Sequence, residues 1–373
     1  MNRIILAIVF AALTLTSHAL TPAGGKDDPE IIRIAIANPT VSNMKTIRFL
    51  TERKMLAGDR MKFRFIGVYH RSQVYDFSAS EKYVKEHPES GFTLKEVSGD
   101  LPDSVLFREN SCSDDFREIF NHSDALFFFG GPDIQPRLYG EEESYSVVTD
   151  PARHSFEVSL MFHLLGGSRN PAFRPFLEER PGYVVTGFCL GLQTMNVATG
   201  GTLFQDIPAL IYGKKDTAEI LQTGRENLHR NYWHLISDDK QLMGINIHPI
   251  GFTNHPFFPE RVRISRKFAP LVYSSHHQSS ARIGTGFEVT ALSPDGKVVE
   301  GLAHQKYPHV FGVQFHPEVA AIYENREPVK FSPADTPQTI HEMIGKKSVR
   351  FHKKYWKFIS RCIDKSHKQL NER

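Results

Sequence analysis

The chain has 373 residues and a formal charge of +3, with 40% hydrophobic and 23% charged residues. That balance describes a soluble globular chain with ample core material, room enough for one large domain or two ordinary ones. So small a net charge gives no electrostatic argument for a nucleic-acid partner, and none is expected.

The opening stretch MNRIILAIVFAALTLTSHALTPAGG has the parts of a secretory signal. Arg3 gives a positive start, Ile4 to Leu15 an apolar run, and Ser17-His18-Ala19 a small-x-small cleavage site. The run is shorter than the ~20 residues that cross a bilayer as a helix. No cysteine follows it to carry a lipid anchor. Cleavage near Ala19 (a signal over 1–19) and export to the periplasm or beyond are therefore expected, with an uncleaved membrane tether as the alternative.

Beyond it, short β-rich runs alternate with helical spacing. Ile31–Asn38, Lys62–Tyr69, Ala125–Gly131 and Tyr183–Phe188 read as strands, while 114–123 and 153–167 carry apolar residues at helical intervals. Such alternation predicts an α/β fold, a three-layer αβα sandwich around a mostly parallel sheet. The near-continuous apolar strands fit helices on both faces. Further on, 286–305 reads as an antiparallel hairpin closed by a Pro-Asp-Gly turn, and 309–318 as a strand stopped by Pro317. One domain over 30–330 results. Residues 331–373 follow as one long basic helix with a solvated face, packed on the domain or extending from it. Two stretches, 166–182 and 245–261, read as insertions or long loops that shape a site or decorate the surface.

The chain has three cysteines, Cys112, Cys189 and Cys362. An odd number leaves at least one unpaired in an oxidising compartment, and no CxxC spacing supports a zinc site on cysteine. A Cys112–Cys362 bridge and three inert thiols both stay open.

Gly187-Phe188-Cys189-Leu190-Gly191 is the cysteine counterpart of a nucleophile elbow. A residue in a tight turn between strand and helix needs neighbours without Cβ atoms, and two glycines supply them. The helix beginning at Leu190 would turn its free N–H groups and positive dipole end toward a thiolate or an oxyanion. Downstream, His316 and Glu318 stand two apart on the expected strand, so both face one side and a carboxylate orients a base. Upstream, Gly130-Gly131-Pro132 ends an apolar strand in a turn able to aim backbone N–H groups into a cleft. Each motif alone has an ordinary structural explanation; the elbow alone fits a buried thiol as well as a nucleophile.

Taken together, GGPD, then GxCLGxQ, then GVQFHPE resemble in order the class I glutamine amidotransferase-like superfamily, a flavodoxin-like fold. The closer resemblance is to its γ-glutamyl hydrolase branch, which includes the γ-glutamyl-γ-aminobutyrate hydrolases. It is carried by GGPDIQPRLYGE, DPARHSFEVSLM (with Asp150, Arg153 and Glu157 in register), MNVATGGTLFQDI and SSHHQS, over roughly Ile31 to Ala321. The resemblance implies Cys189 as the nucleophile, His316 as general base and Glu318 as its orienting partner. It implies Gly131 and Leu190 as oxyanion-hole donors and Gln193 in a glutamyl pocket. Ser275, His276 and His277 are then expected on a strand along the substrate.

The activity so implied is hydrolysis of a γ-glutamyl amide in a small molecule or peptide. It needs no cofactor and no obligatory synthetase partner, and a homodimer is allowed. A glutaminase subunit feeding ammonia to a synthetase, or a catalytically silent binding protein, are the alternatives. No metal is expected: adjacent His276 and His277 point to opposite sides of a strand, and no HExxH occurs among the 18 histidines.

Overall fold

Alternate residues of the first strand go to opposite layers. In β1 (Ile31–Ala37), Ile32, Ile34 and Ile36 join one apolar cluster, Ala35 and Ala37 another. A strand covered on both sides has no polar face, hence a sequence apolar at every position but Arg33, near its start. The computed structural model describes residues 30–58 and 62–371, so the signal-like stretch lies outside the described residues.

The strands after β1 are β2 (Lys62–His70), β3 (Phe92–Val97), β4 (Ala125–Phe128), β5 (Val184–Phe188), β6 (Leu203–Phe204) and β7 (Asn246–Pro249). Then come β8 (Gly251–Phe252), β9 (Leu271–Ser274), β10 (Ser279–Ser280), β11 (Phe287–Leu292), β12 (Val299–His304) and β13 (Val310–Val313). Nine of them form one sheet in the order β3-β2-β1-β4-β5-β13-β12-β11-β8. The stretch from β3 to β13 is parallel, and β12, β11 and β8 extend it antiparallel. β6 pairs with β10 and β7 with β9 in two small ribbons.

The helices are α1 (Val41–Glu52), α2 (Ser78–Glu86), α3 (Ser113–Asn121), α4 (Pro151–Leu165), α5 (Leu190–Ala198), α6 (Ile207–Leu210), α7 (Thr217–Leu221) and α8 (Ile340–Asn371). Apolar residues of α3, α4 and α5 pack on one face of the sheet, those of α1, α2 and α8 on the other. This is the three-layer αβα arrangement. Helix α4 starts where Asp150 accepts a hydrogen bond from the Arg153 N–H, with Pro151 at the first helical position.

Several sequence expectations need correction. The run read as a strand to Gly131 leaves the sheet after Phe128, and the one through His316 leaves after Val313. Ser275–His277 lie in the loop between β9 and β10 instead of on a strand. Residues 245–261 hold β7, β8 and most of a π-helical turn, Phe257–Val262, with Phe257 and Phe258 in the core; only 166–182 is largely a connector. The C-terminal helix is broken at Gly345, whose φ of 72° suits glycine, and its stripe of Tyr355, Trp356, Ile359 and Ile363 is buried against the sheet. All three cysteines are free thiols, Cys112 and Cys362 in apolar clusters on opposite faces of the sheet, so no bridge joins them. Burial pushes the Cys112 thiol up to about 11 and Cys362 up to about 12, which keeps both protonated at neutral pH.

Candidate active site

The elbow forms because its two glycines allow three chain segments to touch. A methyl on Gly187 would lie 2.3 Å from the Gly191 carbonyl carbon, and one on Gly191 would lie 2.4 Å from the Phe128 carbonyl oxygen of β4. Between them Cys189 sits at φ 52°, ψ −107°, a conformation that costs a residue with a side chain about 1–3 kcal/mol. Its N–H bonds the Val313 carbonyl at 2.9 Å and its carbonyl accepts from Gln193 at 3.2 Å, so both sides of the turn are held. Cys189 is thereby lifted to the carboxyl edge of the parallel strands, at the start of α5, where the first N–H groups have no acceptor in the helix.

His316 meets it from the turn after β13. The ring Nδ1 lies 2.7 Å from Glu318 Oε1, and the backbone N–H of His316 bonds Tyr273 O at 2.9 Å. Burial by itself would lower the His316 pKa; the Glu318 carboxylate and then the neighbouring Cys189 sulfur overturn that and raise it well above the ordinary value. Pro317 O between the two residues accepts from Trp356 Nε1 at 2.9 Å and from Tyr323. The C-terminal helix thus clamps the turn, a role its sequence gave no sign of.

The Gly130-Gly131 loop closes the third side. A methyl on Gly130 would lie 2.6 Å from the His316 ring, and one on Gly131 would lie 2.7 Å from the Leu190 side chain and 2.1 Å from the Arg153 guanidinium. Arg153 donates to the carbonyls of Phe129 and Gly130, both at 3.1 Å, while its Nε bonds Glu157 at 2.7 Å. In a trans peptide C=O and N–H point opposite ways. Holding the Gly130 carbonyl on Arg153 therefore turns the Gly131 N–H away from Arg153.

The residues expected to bind substrate fare differently. Gln193 is buried and its amide donates to Gln278 O at 3.3 Å and Gln314 Oε1 at 3.4 Å. Ser275 is exposed. His277 bridges Asp133 Oδ2 (2.7 Å) and Asp206 Oδ2 (3.0 Å), joining the loop after Gly131 to the cap of α6. Sequence reading missed both aspartates because they are 144 and 71 residues away.

His276 turns the other way from His277, although from a loop and not from the strand expected. It enters a buried group with His229, His248 and Glu300, whose candidate ligand atoms all lie within 4.8 Å of one another. Burial lowers the pKa of all three histidines, His248 to about 4. No spacing announced this cluster, since its members come from four separate segments. Two clefts lined by Arg261, His309 and Lys365, the first also by Cys362, lie elsewhere and include none of Cys189, His316, Glu318 or the residues expected to bind substrate.

A family model described as Peptidase C26 matches residues 78–318, a span that contains Cys189, His316 and Glu318. A glutamine amidotransferase-like protein, YvdE, of Lactococcus lactis is 29% identical over 225 residues, covering 60% of this chain and 78% of that protein. A chloroplastic anthranilate synthase beta subunit of Arabidopsis thaliana is 29% identical over 154 residues, 41% of this chain and 45% of its own. The γ-glutamyl-γ-aminobutyrate hydrolase of Escherichia coli O157:H7 is 27% identical over 199 residues, 52% of this chain and 64% of its own.

Proposed function

The chain belongs to the peptidase C26 family, and from that premise we propose that it is a cysteine hydrolase cleaving γ-glutamyl amides. The observation that carries the reading is the convergence of a strained Cys189 at a helix start, the His316–Glu318 pair, and the Gly131 and Leu190 backbone. Cys189, His316 and Glu318 act as nucleophile, base and orienting carboxylate.

In the first step the Cys189 sulfur attacks the γ-carbonyl carbon, and His316 takes the thiol proton. The N–H groups of Gly131 and Leu190 stabilise the oxyanion. Collapse breaks the C–N bond, His316 passes its proton to the departing amine, and a γ-glutamyl thioester remains. Water, deprotonated by His316, adds to that thioester; the C–S bond breaks, glutamate leaves and the thiol regains its proton. Gln193 and the loop of Ser275, His276 and His277 form the wall on the substrate side. The signal-like N-terminus supports action outside the cytosol.

The test is glutamate release from a panel of γ-glutamyl amides, with amine, amino-acid and peptide leaving groups, by wild type and Cys189→Ala. Equal turnover by the two proteins would sink the mechanism. A second reading, a glutaminase subunit serving a synthetase, is favoured by the similarity to an anthranilate synthase beta subunit. It predicts activity on glutamine alone, and only with a partner protein present.

A further inference from the structure

The group formed by His229, His248, His276 and Glu300 lies outside the proposed catalytic apparatus, and hydrogen bonds within the protein leave it incomplete. His248 Nδ1 is 3.0 Å from Pro249 O and His276 Nδ1 is 2.8 Å from Gln278 O. A carbonyl only accepts, so both Nδ1 atoms carry the proton and both Nε2 atoms present a lone pair. Those Nε2 atoms face Glu300 Oε1, each 3.8 Å away, an acceptor set against acceptors. His229 Nδ1 stands 3.0 Å from the same oxygen but out of hydrogen-bond alignment.

Six buried atoms consequently lack a partner: both nitrogens of His229, Nε2 of His248 and of His276, and both oxygens of Glu300. Leaving such atoms unpaired costs about 1–3 kcal/mol each. One shared proton would join a single histidine to Glu300 and leave the other lone pairs facing each other. A cation among the four side chains takes one nitrogen from each histidine and one oxygen of Glu300, and so satisfies four of the six at once.

We propose that His229, His248, His276 and Glu300 form a structural site for a divalent transition-metal ion, with zinc the ion that fits. Three imidazoles and a carboxylate are borderline donors suited to zinc, and four protein ligands fill a tetrahedron. Bonds of about 2.0–2.1 Å imply ligand-to-ligand edges of roughly 3.3 Å; the three separations from Glu300 Oε1, of 3.0 and 3.8 Å, bracket that edge, and all four ligand atoms lie within 4.8 Å of one another. Two of the rings already have the carbonyl contact on the distal nitrogen that orients metal-binding histidines. The ion would tie β12, through Glu300, to β7, to the segment of His229 and to the loop of His276. That loop also carries His277 and the Gln278 carbonyl that holds Gln193, so the ion stabilises the wall of the active site without touching Cys189.

The experiment is metal analysis of the full chain bearing Cys189→Ala, purified without a histidine tag and dialysed against Zn2+ or Co2+. Removing the Cys189 thiol separates this site from metal caught by the nucleophile. The expected result is about one bound ion per chain, with the intense visible absorption of tetrahedral Co2+. Adding His248→Asn should abolish both, and dipicolinate should lower the unfolding temperature of the parent. Absence of bound metal after dialysis overturns the proposal, as does binding that survives His248→Asn. Should His248→Asn fail to fold, the stoichiometry and cobalt spectrum of the Cys189→Ala chain decide alone.

Discussion

Glu318→Gln keeps an acceptor on His316 Nδ1 but removes a charge 2.7 Å away. Two unit charges at that distance attract by roughly 6 kcal/mol at an effective dielectric of about 20, before desolvation is counted. Because the amide oxygen still accepts the Nδ1–H, the net loss is the difference between a charge-assisted and a neutral bond, about 1–2 kcal/mol. That corresponds to about one pKa unit. The His316 pKa, raised in the wild type, should fall by this amount. Protonated His316 gives its proton to the departing amine, so the alkaline limb of the turnover profile should move down by about one unit. Stability follows the same sign. His316, raised on folding, adds stability that is full below its unfolded value, about 6.5, and is lost as pH rises through the folded value. The variant should lose about 1–2 kcal/mol of stability near pH 5–6 and progressively less above the folded pKa. The assay is kcat against pH for both proteins, paired with urea unfolding at acidic and alkaline pH. An alkaline limb that stays in place while kcat falls would refute the assignment of Glu318 as the charge that raises His316.

Other expectations test the surrounding frame. At Cys189 the usual order of alanine over glycine should invert: with φ at 52°, Cys189→Gly should unfold later than Cys189→Ala by about 1 kcal/mol, both lacking turnover. Gly191→Ala sets a methyl 2.4 Å from the Phe128 carbonyl oxygen, and chemical denaturation should show a loss of about 3 kcal/mol or failure to fold. Arg153→Met combined with Glu157→Gln, which leaves no buried charge unpaired, should fold yet lower kcat by about 10²-fold with a smaller change in KM, because the Gly131 N–H loses its orientation. Trp356→Phe preserves most of the buried ring but removes one of the two bonds to Pro317 O, Tyr323 keeping the other; unfolding should show a cost of about 1 kcal/mol, and turnover should fall with it.

The sheet and elbow were legible because their signals are local. β1, β2 and β5 are mainly apolar runs, and Gly187-Phe188-Cys189-Leu190-Gly191 packs its requirement for missing Cβ atoms into five residues. Strand ends were less legible: 125–131 and 309–318 stay apolar or β-like after the backbone has left the sheet, since Phe129 and Phe315 are buried from loops. His316 and Glu318 were paired correctly through the wrong geometry, a proline turn in place of a strand face. Asp133, Asp206 and His276 stand in motifs the sequence displays, but neither the Asp133–His277–Asp206 bridge nor the buried histidine–glutamate group could be read there. Their meeting depends on the packing of segments far apart in the chain, and no periodicity encodes that.

The clamp from Trp356 to Pro317 puts the parts of the site in a temporal order. A growing chain delivers the elbow around Cys189 first, the His316–Glu318 turn well over a hundred residues later, and the helix that secures that turn later still. Until α8 docks, the thiol has its strained turn but no fixed base beside it. On the proposed reading, a fixed base requires α8 to have docked, which makes that helix a condition of assembly as well as a layer of the fold.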